Sequence, residues 1–183
     1  MDESTEGVTL YAAFVLDVVS MYSGLFAIAQ PLRNMTATLD PNQPRALVPI
    51  ALYNQTCAWV EETFGEAGIR DAGKRIGERS YRSILDRTGK ASLKPSEVLR
   101  ELQRSARISI QDTSGRGWEI LAEAPRRIVM RRTQTFNCLL QEGLLLALVE
   151  KTGAERAKVA QINCTRSGDE FCDYAISWAA EKR

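Results

Sequence analysis

The chain contains no histidine. That absence removes imidazole as a general base, as the axial ligand of a histidine-held haem, and as a ligand in His-rich zinc sites. Acid–base work would fall to carboxylates, lysine, tyrosine or thiolate. An excess of charge is missing too. The 24 Lys and Arg face 23 Asp and Glu, for a net charge of +1, whereas a dedicated nucleic-acid-binding domain carries a basic excess. No phosphate loop, Ser–His–Asp set or nucleotide fingerprint occurs. No nucleotide cofactor and no catalytic residue are therefore expected, and the chain is expected to act without chemistry.

A clean membrane-spanning run is also lacking. Residues 8–29 are nearly all apolar, but Asp17 interrupts them, and an Asp near a bilayer centre costs about 2.5–3.5 kcal/mol. The flank "MDESTE" is acidic where a secretory signal needs positive charge. The expected location is cytoplasmic, where cysteines stay reduced and thiol or metal chemistry outranks disulfides.

What is present reads as a 183-residue chain with enough apolar content, 44%, to bury a core. Residues 8–29 read as one helix, too apolar to lie exposed, and "LDPNQP" at 39–44 as a linker. Residues 1–44 then form an N-terminal helix and linker serving as a homodimer contact, and 45–183 a ligand-binding domain. Ile50, Tyr53, Cys57, Val60 and Phe64 recur at helical spacing. A further helix carries Gly73 and Gly77, a pair that permits close backbone approach, and Pro95 opens another with Val98, Leu99, Leu102 and Ala106. "GWEILAEA" and "RRIVMRRTQTF" read as a hairpin, with the basic run 126–132 in solvent. "CLLQEGLLLALVEKTG" reads as a buried helix, and "AKVAQINC" with "EFCDYAISW" as a second hairpin. The expected class is α+β, helices packed on an antiparallel sheet of two β-hairpins.

On that reading Cys138 opens a helix, Cys164 closes a strand and Cys172 begins its partner strand. Three thiolates could supply most of a tetrahedral zinc shell. The spacing matches no zinc-finger template, and a dry cluster of buried thiols is the alternative.

The ordered segments "GWEILAEA", "CLLQEGLLLALVE", "AQINC" and "SGDEFCDYAI" resemble the 4-vinyl reductase domain family. These are ligand-binding domains of phenol- and xylene-responsive activators and of stand-alone bacterial proteins. The resemblance is strong over the C-terminal third. It implies a fold shared with TRAPP tethering subunits and loosely related to haem-based nitric-oxide sensors. It also implies zinc held by Cys138, Cys164 and Cys172, with Gln161 standing where the family places a glutamate ligand. Trp118 stands at the position of a ligand-binding tryptophan. The family's phenol-binding histidine is absent, so a larger, more apolar ligand is implied.

The expected function is a non-enzymatic sensory domain for a small hydrophobic molecule, signalling through a partner protein, with zinc as candidate metal and no haem. One alternative is a tetrapyrrole-binding or vinyl-reduction accessory protein. Another is a ligand-free interaction subunit of the tethering type.

Overall fold

The computed structural model describes residues 4–179 except Phe26. The outermost residues of the expected segments 1–44 and 45–183, and Phe26 of the expected first helix, lie outside the described residues.

The apolar N-terminal run forms three elements instead of one helix: β1 (Thr9–Tyr11), α1 (Ala13–Tyr22) and α2 (Gln30–Met35). β1 becomes the central strand of a small antiparallel sheet, between β2 (Leu47–Pro49) and a two-residue strand, β3 (Ile110–Gln111). The one-helix expectation fails because a short apolar run carries no period that separates a buried strand from a helix. Most of this surface is buried within the same chain: Leu10, Ala12, Val15 and Val18 are inside, while Leu25 and Ile28 stay exposed.

The two helices expected after residue 49 run on as α3 (Ile50–Thr88), broken at Gly65, whose φ of 70° is non-helical. The stripe Ile50, Tyr53, Cys57 and Val60 is buried. α4 (Pro95–Ser109) starts at its proline and buries Val98, Leu99, Leu102 and Ala106. Glu97 caps it by accepting the Lys94 N–H at 2.8 Å.

α5 (Cys138–Lys151) is buried on nearly every side and packs against α3. Glycines on both helices allow this. A Cβ on Gly73 would stand 2.0 Å from the Leu140 carbonyl oxygen, and one on Gly143 would stand 2.1 Å from that of Arg70. The two backbones touch, with no room for even a methyl group.

The larger sheet contains β4 (Trp118–Ala124), β5 (Arg127–Arg132), β6 (Lys158–Asn163) and β7 (Cys172–Ser177), ordered β4-β5-β7-β6 and antiparallel throughout. The two expected hairpins join through β5 and β7, which pair Ile128 with Ile176, Met130 with Tyr174, and Arg132 with Cys172. All six side chains are buried. Among the described residues no helix is long and apolar enough to cross a membrane.

Candidate functional site

The three thiols predicted from sequence converge. Cys138 is the first residue of α5, behind Asn137, whose Oδ1 accepts the N–H groups of Leu139 and Leu140. Cys164 follows β6, and Cys172 begins β7. The intervening turn folds back because Asp169 Oδ2 accepts the Cys164 N–H at 2.7 Å. Gly168, at φ 95°, takes a left-handed conformation that suits glycine. All three Sγ atoms lie within 4.8 Å of one another, and those of Cys138 and Cys164 are 3.9 Å apart. Three thiolates about 2.3 Å from a common trigonal ion stand roughly 4 Å from each other, so little motion separates this arrangement from a ligand set.

A residue that sequence reasoning left in solvent completes the cluster. Arg132 is 2% exposed. Its Nη2 donates to Cys172 Sγ at 2.9 Å, and its Nη1 to the carbonyls of Gln134 and Phe136. The Thr165 N–H also reaches Cys172 Sγ, at 3.4 Å. Cys172 is therefore the thiolate of the cluster. The hydrogen bond from Cys138, with those from Thr165 and the Arg132 charge, outweighs burial and lowers its pKa to about 4. The same hydrogen bond, with burial, pushes the Cys138 thiol up. The Cys172 sulfur thus sets negative charge against the Arg132 guanidinium.

Beside the thiols opens a cleft of about 350 Å³, whose walls include Asn54, Glu61, Arg132, Thr135, Cys138 and Arg166. Arg166 grips both Glu61 oxygens at 2.6 Å, and Asn137 Nδ2 donates to one of them at 2.6 Å. These bonds, that from Arg166 foremost, hold the Glu61 carboxyl below its ordinary pKa.

The other predicted residues lie apart from the cleft walls. Trp118 pairs with Arg132 across the β4–β5 ladder, is 4% exposed, and tilts against Tyr174 with ring centroids 5.7 Å apart. Gln161 lies opposite Tyr174 on β6, and its buried Nε2 has no hydrogen-bond partner among the described residues. Cys57 belongs to the core, where burial pushes its thiol up to about 12. Arg132 could have been found from alternation: Ile128, Met130 and Arg132 share one strand face, so the burial of the first two extends to the third.

No family model matches the chain, and no curated protein matches it. Solved structures do match in fold. An H-NOX protein from S. oneidensis in the Fe(II) state, a triple mutant, aligns with a TM-score of 0.64 at 9% identity, covering 93% of this chain and 97% of its own. An H-NOX protein from the same organism in the Fe(II)NO state gives 0.62 at 9% identity, covering 92% and 99%. A structure from work on haem distortion in the H-NOX family gives 0.60 at 10% identity, covering 95% and 97%.

The fold is thus H-NOX-like, with helices on antiparallel sheets. Two expectations are corrected. The 4-vinyl reductase resemblance is overturned, because the similar structures are H-NOX proteins and none of these findings points to that family. The tetrapyrrole-handling role resting on it loses its support. The expectation of zinc with haem excluded is overturned as well, since the neighbours sharing this architecture are haem proteins. The donor set of this chain does not fit a haem held by imidazole, because the sequence has no histidine. The reactive groups of this region are the thiols and the guanidinium groups around them.

Proposed function

We propose that the chain is a non-enzymatic sensory domain whose input is read at the Cys138–Cys164–Cys172 cluster through capture of a soft, thiophilic metal ion such as Cu(I). The observation that carries this reading is the convergence within 4.8 Å of three ligand sulfurs, from the start of α5, the residue after β6 and the start of β7. Thiolates favour soft ions, and three ligands suit an ion content with low coordination. The H-NOX-like fold supports the sensory reading, since one such neighbour is described in terms of H-NOX activation. A non-enzymatic role is favoured because the carboxylate in the cleft wall, Glu61, is committed to Arg166 and Asn137 and is a weak base at its lowered pKa.

An ion bound here would tie the start of α5 to the β6–β7 turn. α5 in turn touches the α3 backbone at Gly73 and Gly143, so a shift of α5 cannot be absorbed by side chains and passes to α3. From there occupancy reaches a partner protein.

Anaerobic titration of reduced protein with Cu(I), against a chromophoric competing chelator, tests the reading. One tight equivalent per chain is expected, lost in Cys138→Ser, Cys164→Ser and Cys172→Ser, and kept in Cys57→Ser. Equal binding by the triple variant would overturn it.

A further inference from the structure

The larger sheet turns one face to the core. Ile128, Met130, Tyr174 and Ile176 are buried there. The helices that pack on this sheet, α4 and α5, lie on that side: the Tyr174 hydroxyl donates to the Cys138 carbonyl of α5, and Arg100 of α4 holds Glu123. By alternation the intervening residues form the opposite, outer face.

Strand register sorts the outer face into three rows. Ala122, Val129, Ala175 and Ala160 are successive partners across all four strands. They form an apolar band that is exposed at its ends and half-exposed in the middle. Leu121 and Ile162, 44% and 52% exposed, sit in the bulges of the two edge strands beside it.

The rows that flank the band carry opposite charge. On one side Glu119, Arg131, Asp173 and Asn163 are partners. Arg131 and Asp173 neutralise each other through hydrogen bonds of 2.8 and 2.9 Å. Glu119 and Glu170, both close to Arg131, form no ion pair among the described residues. On the other side Ala124, Arg127, Ser177 and Lys158 are partners. Arg127 and Lys158 likewise form no ion pair among the described residues. The face is thus acidic on one side of an apolar band and basic on the other.

Such a face complements itself in one orientation. A two-fold axis along the strands would lay basic row on basic row. A two-fold axis along the band instead lays the acidic row of each copy on the basic row of the other. Val129 and Ala175 then meet their own counterparts at the axis, and the strands of the two sheets stay aligned, as in sandwiches. The small side chains of the band favour the approach of about 10 Å that stacked sheets require. Four strands about 4.8 Å apart and about 20 Å long make a face of roughly 400 Å². That is less per partner than the roughly 800 Å² of a standard interface, so the contact should be weak and reversible.

We propose that the outer face of the β4-β5-β7-β6 sheet binds a second copy of this chain, in a symmetric dimer whose two-fold axis runs along the Ala122–Val129–Ala175–Ala160 row. The contact does not depend on the metal reading of the thiols, since Cys172 lies on the core side of the sheet.

Sedimentation velocity of the reduced, metal-free protein, from about 5 µM to about 0.5 mM, tests the proposal. A reversible monomer–dimer equilibrium is expected. Val129→Asp places two carboxylates at the axis, and Arg127→Glu, at an exposed position, sets carboxylate against carboxylate. Each should keep the native circular dichroism and weaken the dimer at least about tenfold. Leu25→Ser, on the exposed N-terminal apolar loop, should leave it unchanged. A monomer over the whole range would overturn the proposal, as would a dimer that either charged substitution leaves intact, or one that Leu25→Ser dissolves.

Discussion

Arg132 and Cys172 are register partners across β5 and β7, and the guanidinium Nη2 lies 2.9 Å from the sulfur. Neither is more than 2% exposed. A buried guanidinium without a negative partner is strongly unfavourable, and the Cys172 thiolate supplies that charge in the absence of any added ligand. The cluster is thus held together by an ion pair as well as by chain geometry.

Cys172→Ala should therefore cost about 3 kcal/mol or more in urea unfolding, because it leaves the Arg132 charge buried and unpaired. Adding Arg132→Met should recover part of that loss. Additive losses in the double variant would count against the pair.

At the α3–α5 crossing, Gly143→Ala should destabilise by about 3 kcal/mol, since its Cβ would stand 2.1 Å from backbone oxygen that cannot step aside. Gly65→Ala should cost only about 1–2 kcal/mol: nothing lies within 4 Å of its Cβ position, and the penalty comes from its φ of 70° alone. Melting curves that rank the two the other way would contradict the close approach.

Much of this was legible in the sequence, for reasons that can be stated. The starts of α4 and α5 follow from Pro95 and the Asn137 cap, and the turn around Gly168 brings Cys164 and Cys172 together by local chemistry alone. β1 was not legible, because its three residues pair with strands some 40 and 100 positions away, and only tertiary context makes them a strand. Arg132 was hidden for a different reason. A basic run suggests solvent, and the alternation that buries its last member was overruled by its charge. The cleft draws its walls from four stretches far apart in sequence, around residues 5, 54–61, 132–138 and 165–166, which no local pattern announces.

Acid should loosen the hydrogen bonds that converge on Asp112. Burial raises the Asp112 pKa, but hydrogen bonds from Arg116, the Ser114 N–H and Gln134 outweigh it and hold the carboxyl below its ordinary value. A depressed native pKa gives stability that is complete above the unfolded value, near 3.9, and is lost as pH falls through the folded one. The stability gap between the wild type and Asp112→Asn should stay constant from about pH 7 to 5 and shrink below about pH 4. A gap that persists unchanged to about pH 2 would mean that Asp112 is not held ionised by these partners.

The proposed function stands or falls on whether the three sulfurs act as one ligand set. X-ray absorption at the copper edge of protein loaded with one equivalent of Cu(I) tests it most directly. Three sulfur neighbours are expected around each ion, falling to two in Cys164→Ser. A first shell of two sulfurs in the wild type, or one dominated by nitrogen and oxygen, would contradict it.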